Sequence, residues 1–186
     1  MSEKPIACTP QEVLSFWFEE CTNEDWFRST VMLDDEMRRR FRDTHLALAA
    51  EVPDSWRATA ESRLAAVIVL DQFARNIYRA TPLAFATDGL ALREAKAALE
   101  VGADRKVSDE QRIFFYMPFE HSEDLAEQDR AVALFQSLRL EEQIDYAIRH
   151  RQVIAEFGRF PHRNAMLGRP STEAEKEYLA QPGAGF

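Results

Sequence analysis

All six glycines and all eight prolines fall near the edges of apolar segments, in first turns or in the terminal stretches. Proline lacks an amide hydrogen and glycine loses the most freedom on ordering, so both punctuate helices rather than occupy their interiors. A chain punctuated this way predicts an all-α fold of roughly eight helices joined by short connections. Its 186 residues suit one domain, and 46% apolar content with 13 phenylalanines can fill a core. We expect one helical domain over 1–180. A loose tail follows over 181–186, where Pro182 and the glycines after it oppose extension of the last helix.

Start signals set most of the helices. Thr9-Pro10-Gln11-Glu12 is a capping box with proline in the first turn, leading into Val13, Leu14, Phe16, Trp17 and Phe18. A polar turn carrying Trp26 and Phe27 follows, and Asp34 or Asp35 opens a helix to about Glu51 striped by Met37, Phe41 and Leu48. Arg38, Arg39, Arg40 and Arg42 read as its solvated face. Asp54 and Ser55 cap the segment that carries Leu64 to Leu70, a buried helix despite its β-branched residues. Thr87 or Asp88 starts the next helix, which Gly102 stops. Ser108 to Gln111 is a second capping box, and Pro118 interrupts the helix it begins. Ser122 caps a helix through Leu138, Glu141 begins another that ends at Gly158, and Thr172 to Glu175 caps the last.

The net charge of −9 argues against a nucleic-acid surface, because phosphate neutralisation needs a dense basic face. The longest apolar run, Leu64 to Leu70, is far too short to span a bilayer. Met1 to Pro5 has no apolar core for export, and Cys8 and Cys21 lack Cys-x-x-Cys spacing. These features predict a reduced, cytoplasmic protein.

Three charged turns stand out. In the first, Asp71, Arg75 and Asn76 end the apolar helix, with Asp71 and Arg75 spaced to pair; a register-fixing brace and a ligand contact are both consistent with that. In the second, Glu120, His121 and Glu123 follow an aromatic run. In the third, Arg159, His162, Arg163 and Asn164 flank Pro161, and Arg offers a planar fork for carboxylate or phosphate. The internal alternative for these last residues is to tie loose carbonyls at a helix end. His150 shares a stripe with Tyr146, Val153 and Phe157 and is expected to be at least partly buried. No two histidines have His-x-x-x-His spacing, so no metal is assigned. With no phosphate loop, nucleophile elbow or dinucleotide fingerprint, no cofactor is assigned either.

Five stretches in order resemble the bacterial domain-of-unknown-function family 924. They are Val13 to Phe18, Leu70 to Arg79, Ala84 to Asp88, Tyr116 to Glu123 and Phe157 to Asn164, which together span nearly the whole chain. The family usually has proline where this chain has Ala74. The resemblance implies an all-helical fold similar to tetratricopeptide-like right-handed helical arrays, and it implies no established activity. The expected function is a pocket in which Arg75, Asn76, Arg163 and Asn164 hold an anionic group of a small molecule or peptide end. Glu120, His121 and Glu123 would receive the polar end of that ligand. Two rivals stand beside this. One is a hydrolase with Glu120 or Glu123 as general base and His121 or His162 as acid. The other is an adaptor that binds a peptide along a helical array.

Overall fold

The computed structural model describes residues 7–185. The expectations for Met1 to Pro5 and for Phe186 therefore lie outside the described residues. Nine helices and no strand occur among the described residues, as the punctuation predicts: all-α. The described residues divide into two compact units, 7–79 with 83–118, and 80–82 with 119–185.

The first unit holds α1 (10–20), α2 (Asn23–Phe27), α3 (Val31–Ala50), α4 (60–77), α5 (Asp88–Glu100) and most of α6 (Asp109–Glu120). The Thr9–Glu12 capping box forms as expected, with the Thr9 amide donating to Glu12 at 2.7 Å. Within α1 the last turn, Phe16–Glu20, widens into a π turn that ends at Cys21. Burial and the carboxylates of Asp25 and Glu20 push the Cys21 thiol up to about 12. The core of this unit is aromatic: Phe16, Phe41 and Phe73 meet one another in tilted and edge-on contacts, and Trp17 meets Phe73 and Phe114 edge-on.

Helix α4 lies at the centre, packed by α1, α3 and α5. Every residue from Leu64 to Ala74 is buried, as a helix apolar on all sides requires. Its middle, Val69–Phe73, is a π turn, so one extra residue is accommodated where Asp71 enters the core.

The second unit contains α7 (Leu125–Leu138), α8 (Glu141–Phe157) and α9 (Glu173–Leu179). The first two pack together as a hairpin through Arg139, held in the left-handed region at φ 56°, and Leu140. Gly158 stops α8 at φ 68°, the conformation a glycine supplies at least cost. Val153, Ile154 and Phe160 form a core against which Phe157 and Tyr178 rest. No helix among the described residues is long and apolar enough to cross a membrane.

Several boundaries differ from the expectations above. The polar turn at 22–27 is the short helix α2, because Thr22 and Asp25 close a capping box of their own. Helix α3 starts at Val31, not at Asp34 or Asp35, since Thr30 accepts from the Leu33 amide. Asp54 and Ser55 belong to a 3-10 turn, and Thr59 caps α4 instead. Pro118 does not interrupt α6, which runs through it to Glu120; the proline removes one amide donor, but the helix continues for two further residues. Asp124, rather than Ser122, caps α7, its carboxylate accepting from Ala126 at 2.8 Å.

Because Ile68 is wholly buried in α4 and Leu83 is 55% exposed, their truncation should differ sharply. Ile68→Ala is expected to cost about 2–5 kcal/mol in chemical denaturation, and Leu83→Ala no more than about 0.5 kcal/mol.

Candidate functional site

In the first unit the Asp71–Asn76 turn is an internal brace. Arg75 donates to both oxygens of Asp88, at 2.9 and 3.1 Å, and to the Asp71 carbonyl at 2.7 Å. The expected Asp71–Arg75 pair forms at 3.3 Å. Asn76 donates to Asp34 at 2.8 Å, and Asp34 also accepts from Ser29 and Arg79. Burial disfavours the Asp34 charge, but these donors outweigh it and hold the carboxyl below its usual range.

His45 lies beside this brace. Thr87 gives its hydroxyl proton to the Leu70 carbonyl at 2.6 Å, so His45 Nε2 donates to Thr87 and Nδ1 accepts from the Tyr78 hydroxyl. The ring is neutral, and burial lowers its pKa to about 4. Near it, a cleft of about 320 Å³ separates the end of α3, Leu48 to Val52, from Thr87, Gly89, Leu90 and Arg93. None of the site residues singled out from the sequence lines this cleft.

In the second unit three of the candidates meet the ring of Phe160, and two more stand against one of those three, His150. His150 meets it edge-on at 5.6 Å, His162 lies at 5.5 Å, and the Arg163 guanidinium sits 4.5 Å above its centroid. His121 is 6.5 Å from His150, ring to ring. Glu120 Oε1 stands 3.2 Å from His150 Nδ1, and both side chains are buried. That nitrogen also faces the Tyr146 carbonyl at 2.9 Å, a pure acceptor. Nδ1 therefore carries the proton and Nε2 the lone pair. Burial, with His121, Arg163 and His162 nearby, keeps the His150 pKa well below its ordinary value.

The other candidates hold this arrangement in place. Glu123 accepts from Arg169 at 2.7 and 2.9 Å and from the Phe160 amide at 2.8 Å. Burial opposes its charge, yet these donors keep its carboxyl below the usual range. Asn164 accepts from Arg169 and donates to Ser171. Arg159 grips Glu175 with two bonds, at 2.6 and 2.8 Å, and that pairing brings the Glu175 carboxyl to about 2. Gln128, fully buried, donates to the carbonyls of Glu120 and Ser122, both at 2.6 Å.

Phe160, Gln128, Arg169, Asp34 and His45 were not singled out from the sequence as site or brace residues. Gln128 had a usable signal, a polar residue in line with Ala131, Phe135 and Leu138 on the buried stripe of α7. Arg169, in a loop, had none. Among the described residues no group of three His, Cys, Asp or Glu is placed to hold a metal ion.

With this geometry in view, the family described as "Bacterial protein of unknown function (DUF924)" matches residues 13–183. The chain belongs to this family. A solved structure, that of the protein of unknown function ATU0120 from Agrobacterium tumefaciens, is 42% identical with a TM-score of 0.88. The match covers 92% of this chain and 96% of that one. No curated protein matches the sequence. Family membership thus accounts for the five ordered motifs and leaves the function to be argued from the site.

Protonating His45 in place would break its bond from Tyr78, which sets a pH dependence. Its folded pKa, about 4, lies below the unfolded value of about 6.5. The stability it contributes is complete above pH 6.5 and is lost as pH falls toward 4. Between pH 7 and pH 5 this should remove roughly 2 kcal/mol of unfolding free energy. In His45→Gln, whose amide can keep both hydrogen bonds, urea titrations at the two pH values should show a correspondingly smaller difference.

Proposed function

We propose that the second unit binds a small polar ligand with an anionic group at the cluster around Phe160. The observation that carries this reading is the buried Glu120–His150 contact, set among His121, His162 and Arg163. Structural packing gives little reason to bury a carboxylate against an imidazole and gather two more imidazoles and a guanidinium nearby. In this reading Arg163 supplies the positive charge, and the neutral His150, oriented by the Tyr146 carbonyl with Glu120 beside it, supplies a proton acceptor at Nε2.

That orientation also favours one rival. With the Nδ1–H of His150 held by the Tyr146 carbonyl, Nε2 is left to act as a general base on water, which is the chemistry of a hydrolase. The Glu120 carboxylate, 3.2 Å from the ring, would favour the charged imidazolium that forms rather than take the proton itself. For the adaptor reading, the α7–α8 hairpin is the supporting feature, since stacked helical hairpins build tetratricopeptide-like right-handed arrays. Both cysteine thiols are free, in keeping with a cytoplasmic setting.

Thermal unfolding in the presence of inorganic phosphate, acetate, citrate and a dipeptide tests the binding reading. At about ten times its Kd, a bound probe adds roughly 1.4 kcal/mol, a Tm gain of about 3–6 °C for a chain of this size. The gain should be lost in His150→Gln and in Glu120→Gln while the unliganded proteins still unfold cooperatively. No gain with any probe, together with a bare chain mass in native mass spectrometry, would overturn it.

A further inference from the structure

The segment after α9 turns back onto the fold before the described residues end. Gly185 sits at φ +83°, and a Cβ built on it would stand 3.0 Å from His162 Cβ and 3.5 Å from Cγ. Only glycine fits so close to the imidazole without displacing it. Gly183, at φ +78°, passes the Arg149 guanidinium, and the Ala184 amide donates to the Gln181 carbonyl at 3.2 Å, turning the chain back toward His162. Ala184 and Gly185 are half-buried as a result, and the Nδ1 of His162 is shielded from solvent.

We propose that residues 181–185 form a strap laid over His162, and that its lifting governs access to the cluster around Phe160. The two ends of the strap are fastened unequally. Its root is firm: Tyr178 packs on Phe157 at 5.3 Å, and Glu175 is gripped by Arg159. Beyond Gln181 the segment offers small side chains and a proline, so it buries little apolar area to hold it down. Segments with few buried apolar contacts open locally at low free-energy cost, without unfolding the rest. The importance of access rests on the binding reading above, while the strap itself is tested without any ligand.

Diethyl pyrocarbonate, which modifies accessible imidazoles, is the probe, with peptide mass spectrometry reading each histidine separately. Three proteins are compared: the full chain, Gly185→Ala, and a chain ending at Gln181. Alanine at 185 is strained in the left-handed region and collides with His162, so it should lift the strap without shortening the chain. His162 should react roughly tenfold faster in both variants, the ratio expected if the strap is raised about a tenth of the time in the full chain. The rate at His45, buried in the first unit, should not change. Equal His162 rates in all three proteins would overturn the strap. Faster labelling combined with no probe binding would leave the strap standing and count against the binding reading instead.

Discussion

The carboxylate of Glu123 accepts from both arms of Arg169 and from the amide of Phe160, and the second unit's site depends on those three bonds. They fasten the turn before α7 to the segment after α8, two stretches 37 residues apart at the Phe160 contact. Arg169 then extends the network to the Asn164 side chain and to the Phe160 carbonyl, so one guanidinium ties three points of the loop and the turn before α7 together. Hydrogen bonds to charged groups are stronger than neutral ones, which suits a loop with no helix to order its backbone. Glu120 and His150 are thus distinct from the residues that order this loop.

The first unit solves a related problem with opposite emphasis. A helix buried on every side carries Asp71 into the core, and the π turn at that point gives the acidic side chain room to reach partners. Arg75 then pairs with both Asp71 and Asp88, while Thr87 links the Leu70 carbonyl to a neutral imidazole. Breaking such a buried pair by removing one member costs far more than the pair contributes relative to an apolar replacement. Losing any one member of this network would therefore be costly, whatever the net contribution of the whole.

How much of this was legible in the sequence depended on the range of the signal. Capping boxes are complete within four residues, and those opening at Thr9, Ser108 and Thr172 form where expected. Thr22 with Asp25 is the same device with a shorter acid, and it was passed over as a turn. At Pro118 the local rule lost, because one missing amide does not end a helix whose flanking residues Phe115 and Phe119 are both buried. Asp124 displaced Ser122 as cap because two acids and a serine in succession offer several equivalent starts. The pairing of Glu120 with His150 spans thirty positions, and no periodicity within either helix encodes it. Sequence position marked the residues as polar candidates; only the fold separates Glu120 and His150 from the bracing Glu123, Arg159 and Asn164.

Cys21 carries a consequence for handling and for physiology. A thiol whose pKa stands near 12 is ionised at neutral pH in only about one molecule in 10⁵, and the thiolate is the nucleophilic form. Alkylating reagents, peroxide and disulfide exchange all act on that form, so Cys21 is chemically quiet under ordinary conditions. A transient rise in oxidants would pass this position by. The end of α1 thereby holds a sulfur whose partial burial, beside two carboxylates, keeps it in the thiol form.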